Sequence, residues 1–328
     1  MLNAHNVLQS KFQTAFGTAD ATAVKKLQNV SDFKLRPELQ TRALDQLRGT
    51  LAPTHQTVLD SYASSATFEA ADETYEELNY WLEALFGTVI PSGSATPYER
   101  VYSAPTTAAV TPRFMTLQWG QTNEVWQMQD ASVTSLTLSG SNNTGVQVGG
   151  SLMGGKVVAG TLASLSDMTT ETRMSGCAAS VSIEAWGGST FSALTSSAFA
   201  WELSINANRE YRSFLGECTP TAHNDQKWNG QLKLSLELND STDDHLIAML
   251  ASPNAILEKR IRIIYTIGAG IALRSMQIDF AGHSMKAPEL FQDRNGIMTY
   301  DLVLDGVYNP TAANWLTITT KSAIDVVS

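Results

Sequence analysis

Residues 231–251, QLKLSLELNDSTDDHLIAMLA, decide how the rest of the chain is read. Leu232, Leu234, Leu236 and Leu238 alternate with Gln231, Lys233, Ser235 and Glu237, the period-two pattern of a half-buried antiparallel strand. Asn239 to Ser241 break the alternation. Asp240 or Ser241 then caps a short helix whose apolar residues Leu246, Met249 and Leu250 share one side. The unit is strand, turn, short helix.

The same unit stands in the first half at residues 64–85, SSATFEAADETYEELNYWLEAL. An offset of 168 places Phe68 on Leu236, Glu69 on Glu237, Ala70 on Leu238 and Asp72 on the capping Asp240. Leu78, Trp81 and Leu82 fall on Leu246, Met249 and Leu250, and upstream Phe33 meets Trp201, Leu35 meets Leu203 and His55 meets His223. One offset that keeps polarity, capping and helix register together reads as an internal duplication.

The 328 residues suffice for two units of about 150 each. Only 16% are charged, and short β-forming segments are separated by small polar turns, which favours a mainly β protein. The fold expected is two internally duplicated antiparallel β-sandwich or barrel units, each with one short α-helix. Residues 1–32 read as an N-terminal arm, 33–165 as the first unit, 166–188 as a linker and 189–328 as the second unit. Within the first unit, Pro91, Pro97, Pro105 and Pro112 mark residues 88–112 as a long loop with a much shorter counterpart in the second half, an extension suited to contacting a neighbour.

The net charge of −10, from 22 basic and 32 acidic residues, disfavours a nucleic-acid-binding surface but leaves room for a duplex to move past without sticking. Cys177 and Cys218 have no CxxC spacing and read as free thiols. The N-terminus carries no basic segment followed by an apolar run, and no window approaches 18 apolar residues. Neither a signal peptide nor a membrane span is expected, and the product should be made in the cytoplasm, where the sequons at Asn29, Asn142 and Asn239 are idle.

No catalytic constellation emerges. His5, His55, His223, His245 and His283 are scattered without HExxH spacing, and the paired positions of His55 and His223 suit a loop hydrogen bond. Asp240, Asp243 and Asp244 lack the central Gly and terminal Glu of a calcium loop and fit a helix N-terminus instead. Gly149, Gly150, Gly154 and Gly155 open no phosphate-binding helix and read as bulges or bends in a strand. Trp119, Trp126, Trp186, Trp201, Trp228 and Trp315 read as core or interface residues rather than stacking platforms. The expectation is a non-enzyme with no cofactor and no metal.

The ordered set FGTADATAVKKLQNV (16–30), LRGTLAP (47–53), ETYEELNYWLEALFG (73–87), RFMTLQWG (113–120), AFAWELSINAN (198–208), QLKLSLELND (231–240) and DGVYNPTAANWLTITT (305–320) resembles the major tail tube proteins of bacteriophages with long, flexible, non-contractile tails. The resemblance covers essentially the whole chain. It implies a β unit with a helix at its side, repeated around a ring, with rings stacked into a tube that conducts DNA out of the head. Rings of that family hold six such units, so a chain carrying two implies a trimeric, pseudo-hexameric ring in preference to a hexamer. It also implies a virion location, tape-measure and tube-end proteins as partners, and genomic DNA passing through the lumen without specific binding. The polar strand faces bearing Thr67 and Glu69, and Lys233, Ser235 and Glu237, are the lumen-facing candidates, with Lys233 opposing the acidic trend. The alternative is a receptor-binding or capsid-decoration β-sandwich module.

Overall fold

A computed structural model describes residues 6–20, 22–44, 56–93, 95–121, 123–168, 171–188, 190–194, 197–239, 242, 247, 257–284, 292–294 and 296–327. The first half contains β1 (Val7–Phe12), β2 (Lys25–Leu27), β3 (Val30–Leu44), β4 (Gln56–Ala70), α1 (Leu78–Phe86), β5 (Tyr98–Ser103), β6 (Met115–Gln121), β7 (Glu124–Ser141), β8 (Thr144–Gly154) and β9 (Val157–Ala159). The second contains β10 (Ala179–Ala185), β11 (Ser192–Ala193), β12 (Ala198–Asn206), β13 (Arg209–Arg212), β14 (Ala222–Asp225), β15 (Asn229–Glu237), β16 (Leu257–Ile267), β17 (Arg274–Ser284), β18 (Gln292–Arg294), β19 (Ile297–Gly306) and β20 (Leu316–Ser322). The chain is mainly β and its ladders are antiparallel, as the alternating segments lead one to expect.

The order of pairing in the first half is β2–β1–β6–β7, with β7 also joined to β9 and to β8, then β8–β4–β3. In the second half it is β11–β10–β16–β17, with β17 also joined to β20 and to β19, then β19–β15–β12. These seven ladders follow the same order in both halves, while β13–β14 and β18–β19 of the second half have no separate counterpart among the described residues of the first. Two further ladders cross between halves: Ala200–Asn206 of β12 lie against Ser141–Ser135 of β7, and β5 lies against β20. The result is one continuous sheet, β3–β4–β8–β7–β12–β15–β19, with β18 added beyond β19.

The alternation of each strand decides which of its faces is covered. Phe33, Ala66, Phe68, Leu136, Leu138, Val148, Trp201, Leu203, Leu232, Leu234, Leu302 and Leu304 are buried on one face of this sheet. Against the first half packs α1, whose nine residues are all buried, consistent with a helix apolar on most of its circumference. Trp81 of α1 stacks on Phe68 with ring centroids 3.8 Å apart. That stack needs Gly150 on the neighbouring strand, where a Cβ would lie 2.6 Å from the Phe68 ring. Gly150 and Gly154, the latter at a position where a Cβ would come closer still to the Met128 side chain, therefore belong to a strand that larger residues would push away from its neighbours, whereas Gly149 has open space beside it. Among the described residues no side chain caps α1, Asp72 included; the Thr74 hydroxyl instead accepts from the Glu77 N–H at 3.1 Å in the turn that leads into the helix.

Three boundaries and the alignment of the halves differ from expectation. The stretch 1–32 contains β1 and β2, and Leu8, Phe12 and Leu27 enter the core, so it is part of the sheet rather than an arm. The linker stretch 166–188 contains β10, which pairs with β16. The proline-rich loop 88–112 carries β5, whose edge is taken by β20 of the same chain. The offset of 168 also does not hold across the hairpins. Phe33 stands opposite Phe68, but Trp201 stands opposite Leu234, so matching Phe33 to Trp201 matches Phe68 to Leu234 and not to Leu236. The two hairpins are built differently: β3 and β4 run on together as far as Leu44 and Gln56, whereas β12 and β15 enclose the β13–β14 hairpin. The second helix, with Leu246, Met249 and Leu250, lies outside the described residues, as do His5, His55 and His245.

Candidate functional site: the polar face of the continuous sheet

A period-two strand that buries one face displays the other, and here the displayed faces of both halves coincide. Glu69 stands opposite Gly149, Gly149 opposite Thr137, Thr137 opposite Ser204, Ser204 opposite Gln231 and Gln231 opposite Asp305. The next row runs Gln147, Ser139, Glu202, Lys233 and Val303. A third runs Ser141, Ala200, Ser235 and Asp301. Thr67 pairs with Lys34 and Ser151, and Glu237 pairs with Thr299 at the end of its strand. All five sequence-derived candidates, Thr67, Glu69, Lys233, Ser235 and Glu237, therefore lie on one polar face.

This face is rich in small hydroxyl side chains. Between β3 and β7 it forms an open hollow of about 520 Å³ lined by Ser31, Thr67, Glu69, Ser135, Thr137, Ser139, Gln147 and Ser151. Among the described residues, Asp32, Glu38, Glu69, Glu202, Glu237, Asp301 and Asp305 outnumber Lys34, Arg36 and Lys233 on it. Its two lysines are also occupied. Lys233 Nζ lies 2.8 Å from Asp301 Oδ2, and this hydrogen bond holds its pKa above the usual lysine value. Lys34 Nζ lies 2.6 Å from Asp32, which raises its pKa in the same way. Ser235 donates to Asp301 Oδ1 at 2.6 Å and Gln231 to Asp305 Oδ1 at 2.8 Å. The face is a hydrogen-bonded carpet, weakly acidic and without a free cluster of cations.

Sequence reasoning named residues on β4 and β15 and missed their neighbours on β7, β8, β12 and β19. The signal was there in the alternation of TSLTLSG (134–140) and TYDLVLD (299–305), but strand adjacency had to be known before those residues could join one surface.

The seam between halves is pinned behind this face. Arg274 Nε lies 3.0 Å from Glu76 Oε1, Asn79 Oδ1 accepts from Tyr102 Oη at 3.1 Å and from Thr320 Oγ1 at 2.6 Å, and Arg100 donates to the Ile324 and Asp325 carbonyls. The face thus spans two halves bolted together rather than hinged. Among the described residues no group of three or more His, Cys, Asp or Glu could hold a metal ion. Cys177 and Cys218 are free and exposed. No helix of the described chain is long and apolar enough to cross a membrane.

The family described as phage tail tube protein matches residues 4–270, a span that takes in every strand of the first half and the second half through β16. A comparison with curated proteins finds no match.

Proposed function

The chain belongs to the phage tail tube protein family, a family of structural virion components, and from that premise we propose that three copies close into a pseudo-hexameric ring and that such rings stack into the tube through which the genome leaves the head. The observation that carries this reading is the repeated set of ladders. Seven pairings occur in the same order in each half, and β12–β7 joins the two sets into one sheet. Two equivalent units in one chain halve the number of chains needed for a ring of six units.

The polar face is the wall of the channel in this proposal, with Thr67, Glu69, Lys233, Ser235 and Glu237 facing the DNA. A duplex carries about one charge per 1.7 Å of axis, so a wall of free cations would grip it at many points. Paired lysines, hydroxyls and a modest excess of carboxylates keep it moving. The tail is of the long, flexible, non-contractile type, and the further partners are tape-measure and tube-end proteins. Negative-stain electron microscopy with native mass measurement tests the reading. Hollow tubes with a channel wide enough for duplex DNA are expected. Discrete particles that bind saturably to cells or capsids would replace it with the receptor-binding or decoration alternative.

A further inference from the structure

The continuous sheet has two ends, and they differ in kind. At one end, β3 pairs with β4 alone among the described residues. Its counterpart in the order of pairing, β12, is covered on both sides, by β15 and by the last seven residues of β7. At the other end stands β18, which among the described residues pairs with β19 alone. The place of β18 in the second half is that of the end of β7 in the first. Ser141 and Thr144 form the last pair of the β7–β8 hairpin with two residues between them, and Arg294 and Ile297 form the last pair of the β18–β19 hairpin with two residues between them.

We infer that β18 of a second copy of this chain adds antiparallel to the free edge of β3, with Lys34 opposite Gln292, so that the ladder joining the halves within a chain is repeated between chains. This inference rests on the ring reading above and names the surface that closes it. The register follows from the ladder already present. There Glu202 stands opposite Ser139, Trp201 opposite Gly140 and Ala200 opposite Ser141. Phe33 takes the place of Trp201, since each is a buried aromatic facing the next strand's buried Phe68 or Leu234. Residues 32–34 therefore meet 294–292.

The edge is suited to that task. An unpaired strand of this length invites association, and its exposed face carries Lys34 and Arg36, which discourage promiscuous pairing. Pro37 lacks an N–H, so the ladder stops there and cannot slide up the hairpin toward Leu39. Joining the two ends removes both open edges at once, a closed solution that a head-to-tail arrangement reaches when its rotation closes.

The test is disulfide formation across the inferred register in tubes or rings of the full chain, in a background carrying Cys177→Ser and Cys218→Ser. Directly opposed residues of an antiparallel ladder have Cα atoms about 4.5–5.5 Å apart, within disulfide reach. Ser139→Cys with Glu202→Cys, the equivalent pair inside one chain, serves as the geometric control and is expected to close within the monomer. Lys34→Cys with Gln292→Cys is expected to give covalent dimers and trimers on a non-reducing gel, stopping at three chains. Assembled tubes in which the control closes while Lys34→Cys/Gln292→Cys stays monomeric would overturn this pairing and leave the ring reading standing. The same outcome with Arg36→Cys/Gln292→Cys linked instead would overturn the register. A chain that yields only discrete monomers at high concentration and is absent from tail tubes would overturn the ring reading and this inference with it.

Discussion

Gly140 on β7 faces Trp201 on β12 across the ladder that joins the two halves of the chain. A Cβ at position 140 would lie 2.8 Å from Trp201 Nε1 and closer still to the Tyr265 hydroxyl, to which that indole nitrogen donates at 2.8 Å. The two halves thus meet at a glycine whose missing side chain makes room for a buried Trp–Tyr pair. Gly140→Val is expected to destabilise the chain by ~1–3 kcal/mol, the usual range for overfilling a packed site. Gly149→Val, on the open polar face with no neighbour nearer than 3.6 Å, is expected to be close to neutral. Chemical denaturation of the two variants side by side checks the contrast.

Arg209 anchors the β13–β14 hairpin to the body of the chain. Its guanidinium is fully buried, lies 2.6 Å from Asp225 Oδ1 and 3.0 Å from Asp225 Oδ2, and donates to Ser132 Oγ and the Val133 carbonyl at 2.7 Å each. Arg209→Met leaves the Asp225 carboxylate buried without its partner, with an expected loss of ~3–5 kcal/mol. Asp225→Asn added to that variant should recover part of the loss. Equal melting of the single and double variants would show that the pair is not the anchor.

Stability should fall as pH rises from acidic to neutral. Glu77 is pushed up to about 7 chiefly by burial, with Lys25 opposing, and burial likewise pushes Glu73 well above the usual carboxylate range. A carboxyl with a folded pKa above its unfolded value keeps its proton longer in the folded state. The folded chain then binds more protons than the unfolded chain, and stability declines with pH between about 4.5 and 7. Thermal melts across that window should show the decline, and Glu77→Gln should flatten it. An unchanged slope in Glu77→Gln would assign the effect elsewhere.

The paired charges of the polar face make a functional forecast. Lys233 and Asp301 are partly exposed, so breaking their bridge by Asp301→Asn should change stability by no more than ~1 kcal/mol. Its effect should appear in DNA passage instead, because it leaves a lysine free on the wall. Thr67→Lys with Ser235→Lys should act more strongly. Genome release from virions carrying these variants is expected to slow at low salt and recover at high salt, following the salt dependence of phosphate contacts. Release rates independent of salt would remove this face from the channel.

Much of this was written plainly in the sequence. The alternation in QLKLSLE and SSATFEA placed Leu232, Leu234 and Phe68 inward and Lys233, Ser235 and Glu69 outward, as found. What stayed hidden depended on partners distant in the chain. Val7–Phe12 reads as polar and mixed because its buried residues include Gln9 and Ser10, and it becomes a strand through β6, more than a hundred residues away. The proline-rich loop holds β5 because β20, near the far end of the chain, offers an edge to it. The full extent of the polar face was likewise a matter of strand order, which local alternation does not carry.

The central claim is that one chain supplies two of the six units of a ring, and a cryo-electron microscopy reconstruction of the assembled tube counts them directly. Three chains per ring are expected, with threefold symmetry that is nearly sixfold in the channel wall and with Thr67, Glu69, Ser235 and Asp301 lining it. Six chains per ring, or a channel wall built from another face of the sheet, would contradict it.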